Sequence, residues 1–391
     1  MISVEAALGH LFALVEPLEV EEVPLRAAAG RVLARPVAAT RDQPPFRTAV
    51  MDGYAVRSAD IRPGAVLAVT GEAAAGHATG RAVGPGEAIR IFTGAPVPEG
   101  ADRVLIQEDT ERSGDAITVG AAPDPGPYIR AAGRDFRAGD TIPAPRRLRP
   151  ADVVLAAAMN LLALPCTRRP EIALIATGDE LVQPGETPRP DQIIASNTFG
   201  LAAMLEAEGA ISRVMPVARD TAESLAGIFE LARGADMIVT IGGASVGDHD
   251  LVQATARAGG MEPAFYKVAM RPGKPLMAGR LQGVPMIGLP GNPVSSMVCG
   301  QVFLLPALRV MLGLPPAPAT RRRAPLAEDI AANGPREHYM RARIGPDGAI
   351  TPAESQDSGL MGILASADAL LVRPPHAPAA PAGTLVDYLP L

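Results

Sequence analysis

Between residues 170 and 314, short runs that are apolar on both faces alternate with helical stretches, and this constrains the fold more than any other feature of the chain. Glu171-Ile-Ala-Leu-Ile-Ala176, Met237-Ile-Val-Thr-Ile241 and Pro285-Met-Ile-Gly-Leu289 leave no polar face for water. Strands of this kind have to be covered on both sides, which is the condition of a parallel sheet flanked by helices. The intervening segments supply the covers: helices are expected over Thr198–Glu208, Thr221–Arg233 and Leu251–Ala258, with a long one after Pro293 and a further strand over Ile211–Val217. The pattern predicts a doubly wound, mainly parallel sheet, with ligands beyond the carboxyl ends of its strands.

The flanking regions read differently. A helix is expected over Val4–Val15, then an extended stretch around Leu25–Thr40. Residues 46–140 are rich in Gly and Pro and carry short apolar alternations at Val66–Val69, Ala88–Phe92, Arg103–Ile106 and Ala116–Val119. Short strands at such spacing predict a small β domain. A helix over Ala151–Asn160 follows. Residues 314–325, rich in Pro, Ala and Arg, read as a linker, and Tyr339–Ile344, Ala369–Arg373 and Thr384–Leu389 as strands of a small β barrel or sandwich. There is no internal repeat.

Composition removes several function classes. A net charge of −6, no basic run, no Trp and only 5 Tyr and 8 Phe argue against a nucleic-acid binder, which needs a cationic surface and aromatic platforms. Two distant cysteines, Cys166 and Cys299, form neither a disulfide framework nor a zinc motif, and fit buried thiols in a reducing compartment. The first 17 residues carry Glu5 and Glu16 and read as a helix rather than a signal peptide. The most apolar stretch, Pro293–Leu312, is interrupted by Gln301, Pro306 and Arg309, so a buried helix is expected over a membrane span. A cytoplasmic enzyme without membrane attachment is the expectation.

All but two of the 36 basic residues are arginine. The exceptions, Lys267 and Lys274, share the segment Phe265-Tyr-Lys-Val-Ala-Met-Arg-Pro-Gly-Lys-Pro275. Lysine is a compact point charge and arginine a planar fork, which gives a chemical reason to keep lysine there. Pro272 and Pro275 stiffen the segment, and a stiff basic loop suits an anion; a solvated surface turn is the plain alternative.

Other motifs fall at strand ends. Ile241-Gly-Gly-Ala-Ser-Val-Gly-Asp-His-Asp250 leads from a strand into a helix, where converging amides and the helix N-terminus favour an anion. The same stretch contains Gly243-Ala-Ser-Val-Gly247, which fits a serine-hydrolase elbow with His338 or His376 downstream, or a tight turn without chemistry. Ala176-Thr-Gly-Asp-Glu-Leu181 places Asp179 and Glu180 at the ligand edge, suited to Mg²⁺ or a polar ligand, with a solvated turn carrying a helix-start charge as the plain alternative. Asp220, ahead of Thr221-Ala-Glu223, reads as an N-cap, and Asp248 and Asp250 could each cap a helix or hold a metal. Leu289-Pro-Gly-Asn-Pro-Val-Ser295 is a turn that shapes a site. The five histidines are scattered, and neither a Walker A motif nor G-x-G-x-x-G is present.

Taken together, Thr177-Gly-Asp-Glu-Leu181, Gly243–Gly247 with Asp250, Arg271-Pro-Gly-Lys-Pro275 and Leu289–Ser295 resemble, in order, the motifs of the molybdopterin molybdenumtransferase family, to which the C-terminal part of gephyrin belongs. Met51-Asp-Gly-Tyr-Ala-Val56, Ile91-Phe-Thr-Gly-Ala-Pro-Val-Pro98, Gln107-Glu108, Gly133-Arg-Asp-Phe-Arg-Ala-Gly139 and Gln356-Asp-Ser-Gly359 extend the resemblance over essentially the whole chain. It implies an elongated homodimer: a connector and dimerisation domain (1–45 with 140–169), an inserted β domain (46–139), an α/β molybdopterin-binding domain (170–314) and a C-terminal β barrel (320–391).

It further implies Mg²⁺-dependent insertion of molybdate into adenylylated molybdopterin with release of AMP, the substrate being handed over by a molybdopterin adenylyltransferase. By motif, Asp52, Glu180, Asp250, Lys267 and Lys274 would be catalytic, with Glu180, Asp250 and Asp135 at the metal. Thr93, Thr177, Asp179, Asp220, Gly243, Ser245, Gly247, Arg271, Pro290, Pro293, Arg341 and Ser358 would contact substrate, Asp52 and Thr93 from across the dimer. Ala49-Val50, Tyr266, Arg271 and Asp368 depart from the family's usual residues. A pterin-binding scaffold, as in gephyrin's receptor clustering, is the non-catalytic alternative.

Overall fold

The computed structural model describes residues 1–243 and 251–391. Its central sheet is built from β1 (Glu171–Ala176), β2 (Ile211–Val214), β3 (Met237–Ile241), β4 (Met261–Phe265), β5 (Met277–Leu281) and β6 (Val284–Leu289). Helices α1 (Asn197–Ala207), α2 (Ala222–Leu231), α3 (Leu251–Ala258) and α4 (Pro293–Cys299) accompany it. The strand order is β2-β1-β3-β6-β5-β4, with the first four parallel.

Period-two alternation divides the strands between two cores, as the doubly apolar runs require. Ile172, Leu174, Met237 and Val239 face one core with Leu201 and Leu205 of α1 and Val294 and Val298 of α4. Ala173, Ile175 and Ile238 face the other with Leu225 and Ile228 of α2 and Val252 and Ala256 of α3. The strand expected over Ile211–Val217 ends at Val214, because Pro216 has no N–H to continue the ladder.

Sequence reading missed the edge of the sheet. β5 runs antiparallel to β6, and β4 antiparallel to β5. Gln282 and Gly283, both at positive φ (51° and 85°), link the paired residues Leu281 and Val284. Two-residue hairpins favour this backbone because its twist matches that of the strands.

Beyond Pro293 the helix continues to Met311 through a π turn at Gly300–Leu304. Pro306 explains the irregularity, since it lacks an N–H and its ring would strike the carbonyl four residues back. This is the one described helix long and apolar enough to cross a membrane, and 78% of its apolar window is buried inside the protein.

The remaining sheets make this a multidomain chain with mixed strand directions. Val20–Pro24, Ala163–Thr167, Val32–Leu33 and Arg146–Arg147 form one antiparallel sheet, so segments either side of residues 46–139 share a core. Within residues 46–139, six strands lie in the order Arg103–Ile106, Gly53–Val56, Glu87–Ile91, Val66–Ala73, Ala116–Val119 and Thr110–Ser113. In the C-terminal sheet, Glu337–Ile344, Ala369–Arg373, Leu385–Pro390 and Arg322–Pro325 pair in that order. Ile350–Pro352 joins through Glu337–Ile344, and a Leu326–Ile350 bridge returns to the opposite edge. This sheet also takes a strand from the central segment, Met270–Arg271, which the sequence reading assigned to a loop.

Candidate functional site

From β1 the chain crosses to β2 on one side and then to β3 on the other, so their carboxyl ends diverge into a crevice. A cavity of about 1370 Å³ lies there. Thr177 follows β1, Gly242 and Gly243 follow β3, and Pro290 and Gly291 follow β6; all five line it. Gly242 is at φ +99°, and a Cβ there would lie 2.7 Å from the Thr177 carbonyl. A Cβ on Gly291 would stand 3.4 Å from the Gly242 Cα. The turns therefore meet backbone to backbone and leave their edge open to a ligand.

Thr177 is buried, and its hydroxyl has no hydrogen-bond partner among the described residues. Glu180 is exposed on the cavity wall, with its carboxylate folded over Gly178, where a Cβ would come within 2.5 Å of Oε2. Asp179 Oδ1 accepts from the Asp220 N–H at 3.2 Å, and Arg219 Nη1 donates to the Asp179 carbonyl at 3.0 Å. These bonds tie the loops after β1 and β2 together.

Asp220 is not the N-cap expected from sequence. Thr221 caps α2, its hydroxyl accepting from the Ser224 N–H at 3.2 Å. The helix starts one residue later, and Asp220, its N–H donated to Asp179, lines the cavity. Asn197 and Asn292, which sequence reading did not single out, also line it. Asn197 Nδ2 donates to the Gly291 carbonyl at 2.7 Å.

The basic segment borders this cavity through Pro275. Lys267, Arg271 and Lys274 are exposed, and none forms an ion pair among the described residues. Their backbone is held firmly. The Ile2 N–H donates to the Lys267 carbonyl at 3.0 Å, the Val268 N–H to the Lys274 carbonyl at 3.2 Å, and Arg271 pairs with His338. Val268 and Met270 between them, and Leu276 just beyond, are buried. Cys299, fully buried with its thiol pushed up by desolvation, packs under Gly273.

Other expected residues are dispersed. Ser358 reaches the cavity edge, bonded to Asn292, and its neighbour Gly359 is in the lining. Arg341 is 1% exposed, and its guanidinium donates to Gln356 Oε1 and to carbonyls of Ser355, Asp357 and Leu360. It shapes the loop that carries Ser358. Pro293 lines the cavity. Asp52, Thr93 and Asp135 do not line it in this chain. Asp52 Oδ1 accepts from the Thr93 N–H and hydroxyl, both at 2.8 Å, and these bonds, with Arg90, hold its carboxyl below the usual range. Ser245, Gly247, Asp248 and Asp250 lie outside the described residues. Among the described residues no three His, Cys, Asp or Glu side chains cluster as a metal site.

The cavity therefore joins carboxylates, open backbone edges and a rigid basic border, a combination suited to a phosphorylated ligand carrying a metal ion.

Residues 2–160 match the family described as the MoeA N-terminal region (domain I and II), residues 173–310 a probable molybdopterin binding domain, and residues 323–391 the MoeA C-terminal region (domain IV). The chain is 36% identical over 375 residues to molybdopterin molybdenumtransferase 2 of Mycobacterium tuberculosis, covering 93% of each chain. It is 33% identical over 403 residues to molybdopterin molybdenumtransferase of Synechococcus elongatus, covering 99% of each. A crystal structure of the molybdopterin biosynthesis MoeA protein of a Pyrococcus species superimposes with a TM-score of 0.87 at 29% identity, covering 100% of this chain and 99% of that one.

Proposed function

Since the chain belongs to the molybdopterin molybdenumtransferase family, as an enzyme of that type in molybdenum cofactor biosynthesis, we propose that it inserts molybdenum from molybdate into adenylylated molybdopterin and releases AMP. The observation that carries this reading is the cavity itself. Thr177, Glu180, Asp220, Gly243, Pro290 and Pro293 converge there, bordered by the basic segment at Pro275 and by the Ser358 loop at Gly359.

Exchange of molybdate oxygens for the pterin sulfurs needs an oxyanion held close and its charge neutralised. Lys267, Arg271 and Lys274 supply that field from a segment whose backbone is held by hydrogen bonds at the Lys267 and Lys274 carbonyls. Asp179 and Ser358 orient the walls on which the substrate rests. The donor set fits Mg²⁺, which commonly binds through one or two carboxylates plus substrate phosphates. Glu180 and Asp220 would hold it, joined by Asp250, and Asp135 would serve from the domain that carries Asp52. When bound, the ion supplies positive charge at the pyrophosphate.

Asp52 and Thr93 act on a second copy's cavity, which makes the working unit a homodimer, and Asp52 orients the attacking group. Residues 1–45 with 140–169 form the connector and dimerisation domain, 46–139 the inserted β domain, 170–314 the molybdopterin-binding domain and 320–391 a closed β barrel. The enzyme works in the cytoplasm, fed by a molybdopterin adenylyltransferase.

The test is AMP release from the purified protein with adenylylated molybdopterin and Mg²⁺, with and without molybdate. Molybdate-dependent release, with active cofactor formed, is expected. A folded protein that binds the pterin yet releases no AMP would overturn the proposal in favour of a scaffold.

A further inference from the structure

Strand Glu87–Ile91 places Arg90 opposite Tyr54. Its guanidinium carbon stands 5.1 Å from the Tyr54 ring centroid and 4.8 Å from that of Phe92. Nη1 donates to the Gly53 carbonyl at 3.1 Å and Nη2 to Gln107 Oε1 at 2.7 Å. The Gln107 N–H in turn donates to the Asp52 carbonyl at 3.2 Å. Three separate segments (Asp52-Gly53 at the start of its strand, the turn after Ile91 and the short helix Gln107–Asp109) thus meet on one side chain, the first through the Gly53 carbonyl. The first carries Asp52 and the second Thr93, whose N–H and hydroxyl both bind Asp52 Oδ1. A planar fork that also stacks can make all of these contacts together, and a lysine cannot.

We infer that Arg90 is a positioning residue for the reaction, fixing the Asp52–Thr93 pair in the orientation the site needs. The assignment rests on the proposed role of Asp52. Arg90 touches no reacting atom, and it acts by holding the two turns and by placing positive charge beside the Asp52 carboxylate.

The experiment measures kcat, KM and the pH profile of AMP release for full-length Arg90→Lys, Arg90→Met and Asp52→Asn, with circular dichroism of each. Both Arg90 variants are expected to fold, to lose about tenfold or more in kcat, as misplacement of a reacting group does, and to keep KM for the adenylylated pterin. Without Arg90 the Asp52 carboxyl rises, so the acid limb should move to higher pH, most in Arg90→Met. Wild-type kcat and an unmoved acid limb in both Arg90 variants, beside an inactive Asp52→Asn, would overturn the inference alone. Normal turnover in Asp52→Asn would overturn the role of Asp52 and the inference with it. Loss of folding in both Arg90 variants would assign the residue to stability instead.

Discussion

The side-chain amide of Asn292 donates to the Ser358 hydroxyl at 3.0 Å across 66 residues of sequence. The Val294 N–H donates to the Ser358 carbonyl at 3.2 Å, so the C-terminal loop is docked on the first turn of α4 through both its backbone and its side chain. Asn292→Ala and Ser358→Ala should each cost about 1 kcal/mol, the usual net worth of such a bond. Because they share one bond, the double variant should cost little more than either alone. Denaturant melts check this, and additive losses would show that the groups act separately.

Gly178 sits at φ +151°, with Glu180 Oε1 and Oε2 at 2.7 and 2.5 Å from where a Cβ would be. Gly178→Ala forces that carboxylate off its perch, a move an exposed side chain makes easily. Turnover per folded molecule should therefore fall by about tenfold or more, and the melting temperature should drop as well, because a Cβ at this φ strains the backbone by about 1–3 kcal/mol. A large drop in melting temperature with turnover per folded molecule unchanged would contradict this.

Lys274→Ala should raise the molybdate concentration needed for half-maximal turnover more than it weakens pterin binding. The backbone at this position is pinned through its own carbonyl, which alanine retains, so what is lost is the ammonium charge. Titrating molybdate against AMP release, beside pterin binding followed separately, would expose the reverse order.

His338 is 8% exposed, and its Nε2 has no partner among the described residues. Burial first, then the charges of Arg271, Arg336 and Arg341, push the imidazole down to about 4. The unfolded chain takes up this proton near pH 6.5, so the stabilisation is complete above that value and is lost as pH falls through about 4. The loss amounts to about 3 kcal/mol at most. His338→Leu should flatten the acid side of the stability curve, and melts between pH 4 and 7 measure it. An unchanged slope would place the acid sensitivity elsewhere.

Much of the central fold was legible because burial on both faces leaves a mark no loop or amphipathic helix makes. Glu171–Ala176 and Met237–Ile241 have the same limits in sequence reading and structure. β4 and β5 were not legible, since Met261-Glu-Pro-Ala-Phe265 and Met277-Ala-Gly-Arg-Leu281 mix charge, proline and glycine in place of a continuous apolar run, and β4, at the edge, has only one neighbour to satisfy. The strand Met270–Arg271 was hidden for another reason: its partner, Glu337–His338, lies far along the chain. Local pattern carries no information about such a pairing.

By itself, the sequence determined the parallel sheet, the strand ends that line the cavity and the segment that holds both lysines, because periodicity, glycine turns and residue type are local properties. Only the tertiary structure decided which of these meet. Thr221, one residue on, makes the cap, and Asp220, whose N–H the Asp179 carboxylate takes across the loops after β1 and β2, lines the cavity. Arg341 was drawn into the loop behind Ser358, while Asp52 and Thr93 were set apart from the cavity of their own chain. Each outcome depends on a hydrogen bond or a packing contact between residues distant in sequence, and such contacts exist only once the chain has folded.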